Sequence, residues 1–275
     1  MLERSRVILV PIDSNDQTVI ALSQSYNLAR LAQCKIILLS IDDGTASSIQ
    51  VKLEALAGEA KEKSGMPVEI IIRKGKNIYE EITKVADEIK PKLIMIGIGR
   101  IENGKYSGKN ALEMIRKSEH PIISIGGKFH RDGCKTILMP LDLTILSREK
   151  IPGVIEIAKL FGAEIQIVSI LTTETKIEEG KLHMFANQCL KFIRENGINC
   201  GSKFIHTQED IADAVIDYGK KINADLVVII SNKDRTIKEF FKGTASQRLI
   251  NNSDIPILTL RPIERRDTST SQPVF

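Results

Sequence analysis

Two aspartates 129 positions apart, Asp13 and Asp142, each close an apolar run of strand length that breaks at a proline. Val7 to Asp13 reads VILVPID, and Thr136 to Asp142 reads TILMPLD. A carboxylate carried by a buried strand to its C-terminal end can accept hydrogen bonds from ligand hydroxyls, and that edge of an open parallel sheet is where ligands bind. An aspartate so placed also caps the turn or helix that follows it, and both readings stay open. The second chemistry-bearing stretch runs from Gly97 to Gly108, where Gly97, Gly99, Gly104 and Gly108 fall within twelve residues and Lys109 follows. Glycines let backbone N–H groups approach an anion, the N-terminal end of a following helix adds positive potential, and Lys109 would add a point charge. Lys233, Arg235, Lys238 and Lys242 offer similar charge in the other half. A solvated face explains such scattered basic residues as well, Arg235 and Lys238 above all.

The two aspartates belong to an internal duplication. Ala29 to Leu31 matches Ala158 to Leu160, and Leu39 to Ile41 matches Val168 to Ile170, at the same offset of 129. Ile78 to Ile96 matches Ile211 to Ile229 at 133, and His120 to Ile122 matches Ile255 to Ile257 at 135. The drift falls to loop insertions. A chain of 275 residues is long enough for two domains of ordinary size. The boundaries read as a domain over 1–127, a glycine-rich linker over 128–134, a second domain over 135–263 and a tail over 264–275 expected to be disordered.

The elements that must position these residues alternate. In the first half, strand patterns at 2–13, 34–41, 68–72, 92–97 and 121–125 are separated by helical patterns at 18–32, 47–63, 78–89 and 109–118. In the second, strands at 136–141, 164–170, 203–206, 225–230 and 255–260 alternate with helices at 151–161, 176–196, 211–222 and 245–252. This order predicts an α/β fold: two tandem five-stranded parallel sheets of nucleotide-binding type, with helices on both faces. Right-handed crossovers put the Asp13 loop and the Gly97 loop on one edge. The last strand of each half would be an exposed apolar edge, so 121–125 and 255–260 are expected to pair about a pseudo-twofold axis as an intramolecular pseudo-dimer. With that partner built in, a homodimer is open to the chain but not required.

Composition narrows the function. Only 4% of residues are aromatic, tryptophan is absent, and the net charge is +4, which argues against a nucleic-acid partner. No apolar run is long enough to span a membrane, and the N-terminus enters its first strand without room for a signal peptide, so the expected location is the cytoplasm. Cys34, Cys134, Cys189 and Cys200 show no C-x-x-C spacing and read as reduced thiols, Cys134 beside the linker being expected to be exposed. His120, His130, His183 and His206 lack metal-ligand spacing, so no metal is expected. No constellation of nucleophile, base and orienting group recurs in both halves.

With V-P-I-D on the first strand and a glycine loop after the fourth, the chain resembles the universal stress protein family in its tandem two-domain form, from Arg6 to Pro262. The resemblance implies an ATP or ADP site in which the first-strand aspartate and the end of the second strand hold adenine and ribose. Phosphates would lie on a loop of pattern Gly, two residues, Gly, nine residues, Gly, then Ser or Thr. Residue by residue, it points to Pro11, Asp13 and Ile41 in the first half, and to Asp142 and Ile170 in the second. The final loop element is kept at Gly243, Thr244, Ala245 and Ser246, but Ile230 and Lys233 replace the two earlier glycines. In the first half Gly97 is kept and Gly99 lies nearby, while Arg100 replaces the second glycine, Gly108 comes two positions early, and Lys109 replaces the hydroxyl residue.

The leading expectation is a non-catalytic stress-response protein that binds an adenine nucleotide or another small ligand and acts through unknown protein partners. The alternatives are a slow ATPase or adenylating enzyme of a related adenine nucleotide alpha-hydrolase-like fold, or a tandem with decayed sites that only binds protein partners. An enzyme would need an acid, base or metal carboxylate beside the phosphates, and Glu102 is unmatched in the other copy. Between the halves, the first is expected to bind nucleotide better, because β-branched Ile230 stands where the first keeps Gly97.

Overall fold

The computed structural model describes residues 5–13, 16–42, 49–99, 112, 114–115, 118–127, 133–172, 175–231 and 243–261. The glycine-loop residues Gly108 and Lys109 lie outside this set, as do Lys233, Arg235, Lys238, Lys242 and the tail. The first half runs β1 (Ser5–Pro11), α1 (Asp16–Ala32), β2 (Lys35–Asp42), α2 (Ile49–Ser64), β3 (Val68–Lys74), α3 (Ile78–Ile89), β4 (Pro91–Gly97) and β5 (Ile122–Ile125). Leu112, Met114 and Ile115 are helical within the stretch expected to form the last crossover. The second half runs β6 (Thr136–Pro140), α4 (Ile145–Glu149), α5 (Ile151–Phe161), β7 (Glu164–Leu171), α6 (Lys176–Glu195), β8 (Cys200–His206), α7 (Ile211–Lys221), β9 (Leu226–Ile230), α8 (Gly243–Asn252) and β10 (Ile257–Leu260). The short α4 was not expected; Pro152, in the first turn of α5, suits the helix restart after Lys150.

Local chemistry sets the ends of the helices. Asn77 caps α3 by accepting from the Glu80 N–H at 3.4 Å, and Lys90 ends that helix in the left-handed region before Pro91. Thr175 and Glu178 form a reciprocal capping box on α6, and Asp210 caps α7 through the Ala212 N–H at 2.9 Å.

The ten strands among the described residues form one sheet in the order β3-β2-β1-β4-β5-β10-β9-β6-β7-β8. Among the described residues pairing is parallel within each half, and direction changes at β5 and β10, which pair antiparallel with Ile123 opposite Leu258. The expected pairing of the last strands is therefore present. It makes one continuous sheet of the two expected ones, and it turns the carboxyl edges of the halves to opposite sides. One apolar layer lies under α1, α2, α5 and α6, the other under α3, α7 and α8, and each contains residues of both halves. Further ties cross the junction: α1 touches α5, and the Arg261 guanidinium donates to the Ile115 carbonyl. Gly127 abuts the Asp254 backbone so closely that a Cβ there would lie 2.3 Å from its carbonyl oxygen. Cys134 is buried, not exposed, because this junction covers the end of the linker.

Since the layers run through the junction, the halves are expected to unfold together. Leu258→Ala should cost about 2–5 kcal/mol and shift a single urea transition followed by circular dichroism. A curve in two steps, with only one displaced, would contradict this.

Candidate functional site

At the carboxyl edge of the first half, Asp13 is exposed beyond β1, and Pro11, Ile41 and Asp42 are half-buried beside it. The Asp13 N–H lies 3.5 Å from the Thr18 hydroxyl in the first turn of α1. From α2, the Lys52 ammonium donates to the Asp13 carbonyl at 3.1 Å. From α3, which packs on β1 and β2, half-buried Tyr79 lies against the core layer. Burial first and the Asp13 charge second push the Tyr79 phenol pKa up. Sequence reading missed Lys52 and Tyr79 because neither lies in a motif. The usable signal was positional: each opens a helix that starts at this edge.

Gly97 and Gly99 lie at the end of β4, both half-buried. Gly97 is a glycine for a reason other than anion contact. A Cβ on it would meet the Gln17 carbonyl oxygen at 2.3 Å and the Thr18 nitrogen at 2.7 Å, so α1 starts against the β4 backbone. Gln17 is locked there, its amide donating to the carbonyls of Ile125 and Gly127 at 3.0 and 2.8 Å. The next N–H, that of Ile98, is committed to Ile125 at 2.9 Å, which leaves Gly99 as the first residue whose backbone can turn toward a ligand.

The equivalent positions of the second half are closed. Pro140, Leu141, Asp142, Ile170 and Leu171 are all buried, and Leu171 stands where the first half has Asp42. The Asp142 carboxylate is 4% exposed and serves its own turn. One oxygen accepts from the Thr144 N–H at 3.0 Å, the Thr144 hydroxyl at 2.5 Å and the Ser147 hydroxyl at 2.5 Å. Thr144 in turn caps α4 by accepting from the Ser147 N–H at 3.2 Å. Behind this turn lies Lys150, 1% exposed, donating to the Pro140 carbonyl where the first half has Ala21. Ile230 is buried at the end of β9. Gly243, Thr244, Ala245 and Ser246 begin α8.

Burial pushes the Lys150 pKa down to about 8, against a smaller upward pull from the Asp142 charge. Two histidines that the spacing left apart meet on one carboxylate: His183 and His206 place Nε2 3.8 and 3.4 Å from Glu179 Oε1. Among the described residues no group of three such side chains is arranged to hold a metal ion. No described helix is long and apolar enough to cross a membrane. A cleft of about 710 Å³ opens at the opposite, amino-terminal edge of the second half. Its carboxylate, Glu164, is already engaged by Thr136 and Asn199 at 3.3 and 3.1 Å.

Against known proteins, the sequence pattern of the Universal stress protein family matches residues 4–125 and again 133–261. Among solved structures, a universal stress protein from Archaeoglobus fulgidus DSM 4304 is 18% identical over 94% of this chain and 98% of its own, with a TM-score of 0.71. A functionally unknown protein from Pseudomonas aeruginosa PAO1 is 19% identical over 94% and 93%, with a TM-score of 0.72. Such identities speak for the fold alone. A comparison with curated proteins found no match.

Two outcomes test the geometry. Lys150 binds its proton less tightly folded than unfolded, so between pH 8 and 10.5 the unfolded chain holds more protons and stability rises with pH. That rise amounts to on the order of 3 kcal/mol across the window, and Lys150→Met should remove it. The buried thiols Cys189 and Cys200, pushed up to about 11, act oppositely at alkaline pH, so the difference between the two proteins' urea stabilities is the quantity to follow. Gly97→Ala should destabilise by about 1–3 kcal/mol through its backbone clash. Gly58→Ala, in open space on α2, should be neutral or stabilising in the same melts.

Proposed function

The chain belongs to the universal stress protein family, and on that premise we propose that it binds one adenine nucleotide, ATP or ADP, at the carboxyl edge of its first half. It does so without a catalytic step and acts in a stress response through contacts with other proteins. The observation that carries this reading is the contrast between the two aspartates: Asp13 is exposed at an open edge, while Asp142 is buried and bonded within its own turn. A ligand reaching Asp142 would have to displace hydroxyl donors in a buried turn, whereas Asp13 is accessible from solvent.

The donors around Asp13 suit the parts of a nucleotide. The carboxylate accepts from sugar hydroxyls, Lys52 supplies a cation that can leave a carbonyl for an anion, and Gly99 allows a backbone turn toward phosphate. The half-buried Ile41 at the end of β2 offers an apolar shelf for a base. Gly108 and Lys109 remain candidates for the phosphate end, on the resemblance alone. The same division of the chain gives two domains, 1–127 and 135–263, of which only the first carries the ligand.

Calorimetric titration of the full chain with ATP and ADP should give one site per chain. Asp13→Ala should weaken binding at least tenfold by removing a charged acceptor. Asp142→Ala should lower the melting temperature and leave the affinity of the folded protein unchanged. Two sites per chain, or an Asp13→Ala protein that binds as the wild type does, would refute the assignment. Absence of binding would leave a family fold that works through protein contacts only.

A further inference from the structure

We infer that two copies of this chain dimerise by pairing β3 with β3, antiparallel about a twofold axis at Ile71, so that one sheet runs through both. The inference is independent of the proposed function and concerns the outer edge of the first half.

β3 and β8 end the sheet, and an end strand offers unpaired backbone groups to any strand that fits. The bonds that bracket β3 fix which of its groups point outward. The Pro67 carbonyl accepts from the Ile36 N–H at 2.9 Å, and the Gly75 N–H donates to the Asp42 carbonyl at 3.1 Å, so both turn toward β2. Backbone direction alternates along an extended strand. Glu69, Ile71 and Arg73 therefore also turn toward β2, while Val68, Ile70, Ile72 and Lys74 turn their N–H and carbonyl groups outward. Among the described residues these outward backbone groups have no partner. The strand contains neither glycine nor proline, and Ile70 and Ile72 are 36% and 41% exposed.

The other end of the sheet is closed to such pairing. The Asn199 carbonyl accepts from the Ile165 N–H and the Thr207 N–H donates to the Leu171 carbonyl, so by the same alternation the Cys200 carbonyl points outward. Arg194 already occupies it, donating from two nitrogens at 3.0 and 2.7 Å. Lys203 stands at the centre of β8, where a twofold axis would set it against itself. β3, by contrast, is complementary to itself. With the axis at Ile71, Ile70 meets the partner's Ile72, and Glu69 meets the partner's Arg73. The Ile71 backbone faces away from the partner, as an axis through a non-hydrogen-bonded pair requires, and the outward groups of Ile70 then bond those of the partner's Ile72. Glu69 and Arg73 fall at positions of the same kind, where cross-strand side chains approach most closely. Within the chain Lys35 binds Glu69 at 2.8 Å and Glu88 binds Arg73. Pairing would thus line up Lys35, Glu69, the partner's Arg73 and the partner's Glu88 in alternating sign. An arbitrary strand would gain the backbone bonds but not this row of charges, which favours a second copy in this register.

Sedimentation equilibrium of the full chain tests this. The wild type should be a dimer that dissociates on dilution. Glu69→Arg and Arg73→Glu each set like charges opposite one another at both symmetric positions, and each should raise the dimer Kd about tenfold or more. Mixed in equal amounts, the two variants should recover dimers within about threefold of the wild-type Kd, because each edge then meets its opposite. Both side chains are exposed, so the melting temperatures of the single variants should stay near that of the wild type. Ile72→Pro is a second check: it removes an outward N–H without touching the ladder to β2, and should leave a monomer that still melts cooperatively. A wild type that is monomeric at every concentration, any of these single variants dimerising as the wild type does, or a mixture that stays monomeric would overturn the inference.

Discussion

The antiparallel pairing of β5 with β10 is the constraint on which the architecture depends. Each strand is four residues long and almost wholly apolar, and each would otherwise end its half-sheet with unpaired backbone groups and exposed isoleucines. Joining them satisfies both edges and lets the apolar layers run from one half into the other. It also fixes the relation of the two ligand edges. Because direction reverses at the junction, the carboxyl edges face away from each other, and each is built from its own half. Neither can borrow a side chain from the other, so a change in one copy has no counterpart it must match.

That independence is visible in what each edge has become. Where the first half has Asp42, Ala21 and Tyr79, the second has Leu171, Lys150 and Ala212. The exchanges move polar groups in opposite directions, off the surface of the second edge and into its interior. Lys150 is the clearest case. A lysine in the apolar layer is costly, and it is held by the Pro140 carbonyl at the strand's own break, beside an aspartate whose charge offsets part of its desolvation. The turn from Asp142 to Lys150 uses internal hydrogen bonds where the first half presents a carboxylate to solvent.

Much of this was legible in the sequence. The duplication, the alternation of strands and helices along the chain and the pairing of the terminal strands follow from apolar periodicity and the need to cover edges, which are local signals. Less legible was what an aspartate at a strand end does. Asp13 and Asp142 sit in heptapeptides identical at four of seven positions, and spacing does not tell that the Thr144 and Ser147 hydroxyls donate to a buried Asp142 carboxylate while Asp13 stays exposed. Nor could spacing tell that Lys150, on a pattern otherwise read as the approach to a helix, would be drawn inside. Lys52 escaped notice because its contact with the Asp13 carbonyl depends on crossover packing.

Gly97 shows why a matched motif residue must be read with its neighbours. It looks like a phosphate-loop glycine, yet its missing side chain is required by Gln17 and Thr18, whose backbone occupies the space. Gln17 in turn holds the carbonyls of Ile125 and Gly127, and Gly127 abuts Asp254 of the other half. The first turn of α1 therefore belongs at once to the ligand edge and to the junction. A side chain at Gly97 would push that turn away from β4, moving Asp13 and loosening the end of β5 together, so lost binding there would report a displaced helix as readily as a lost phosphate contact. Asp13, exposed at the edge, is the residue whose substitution separates ligand chemistry from the integrity of the sheet.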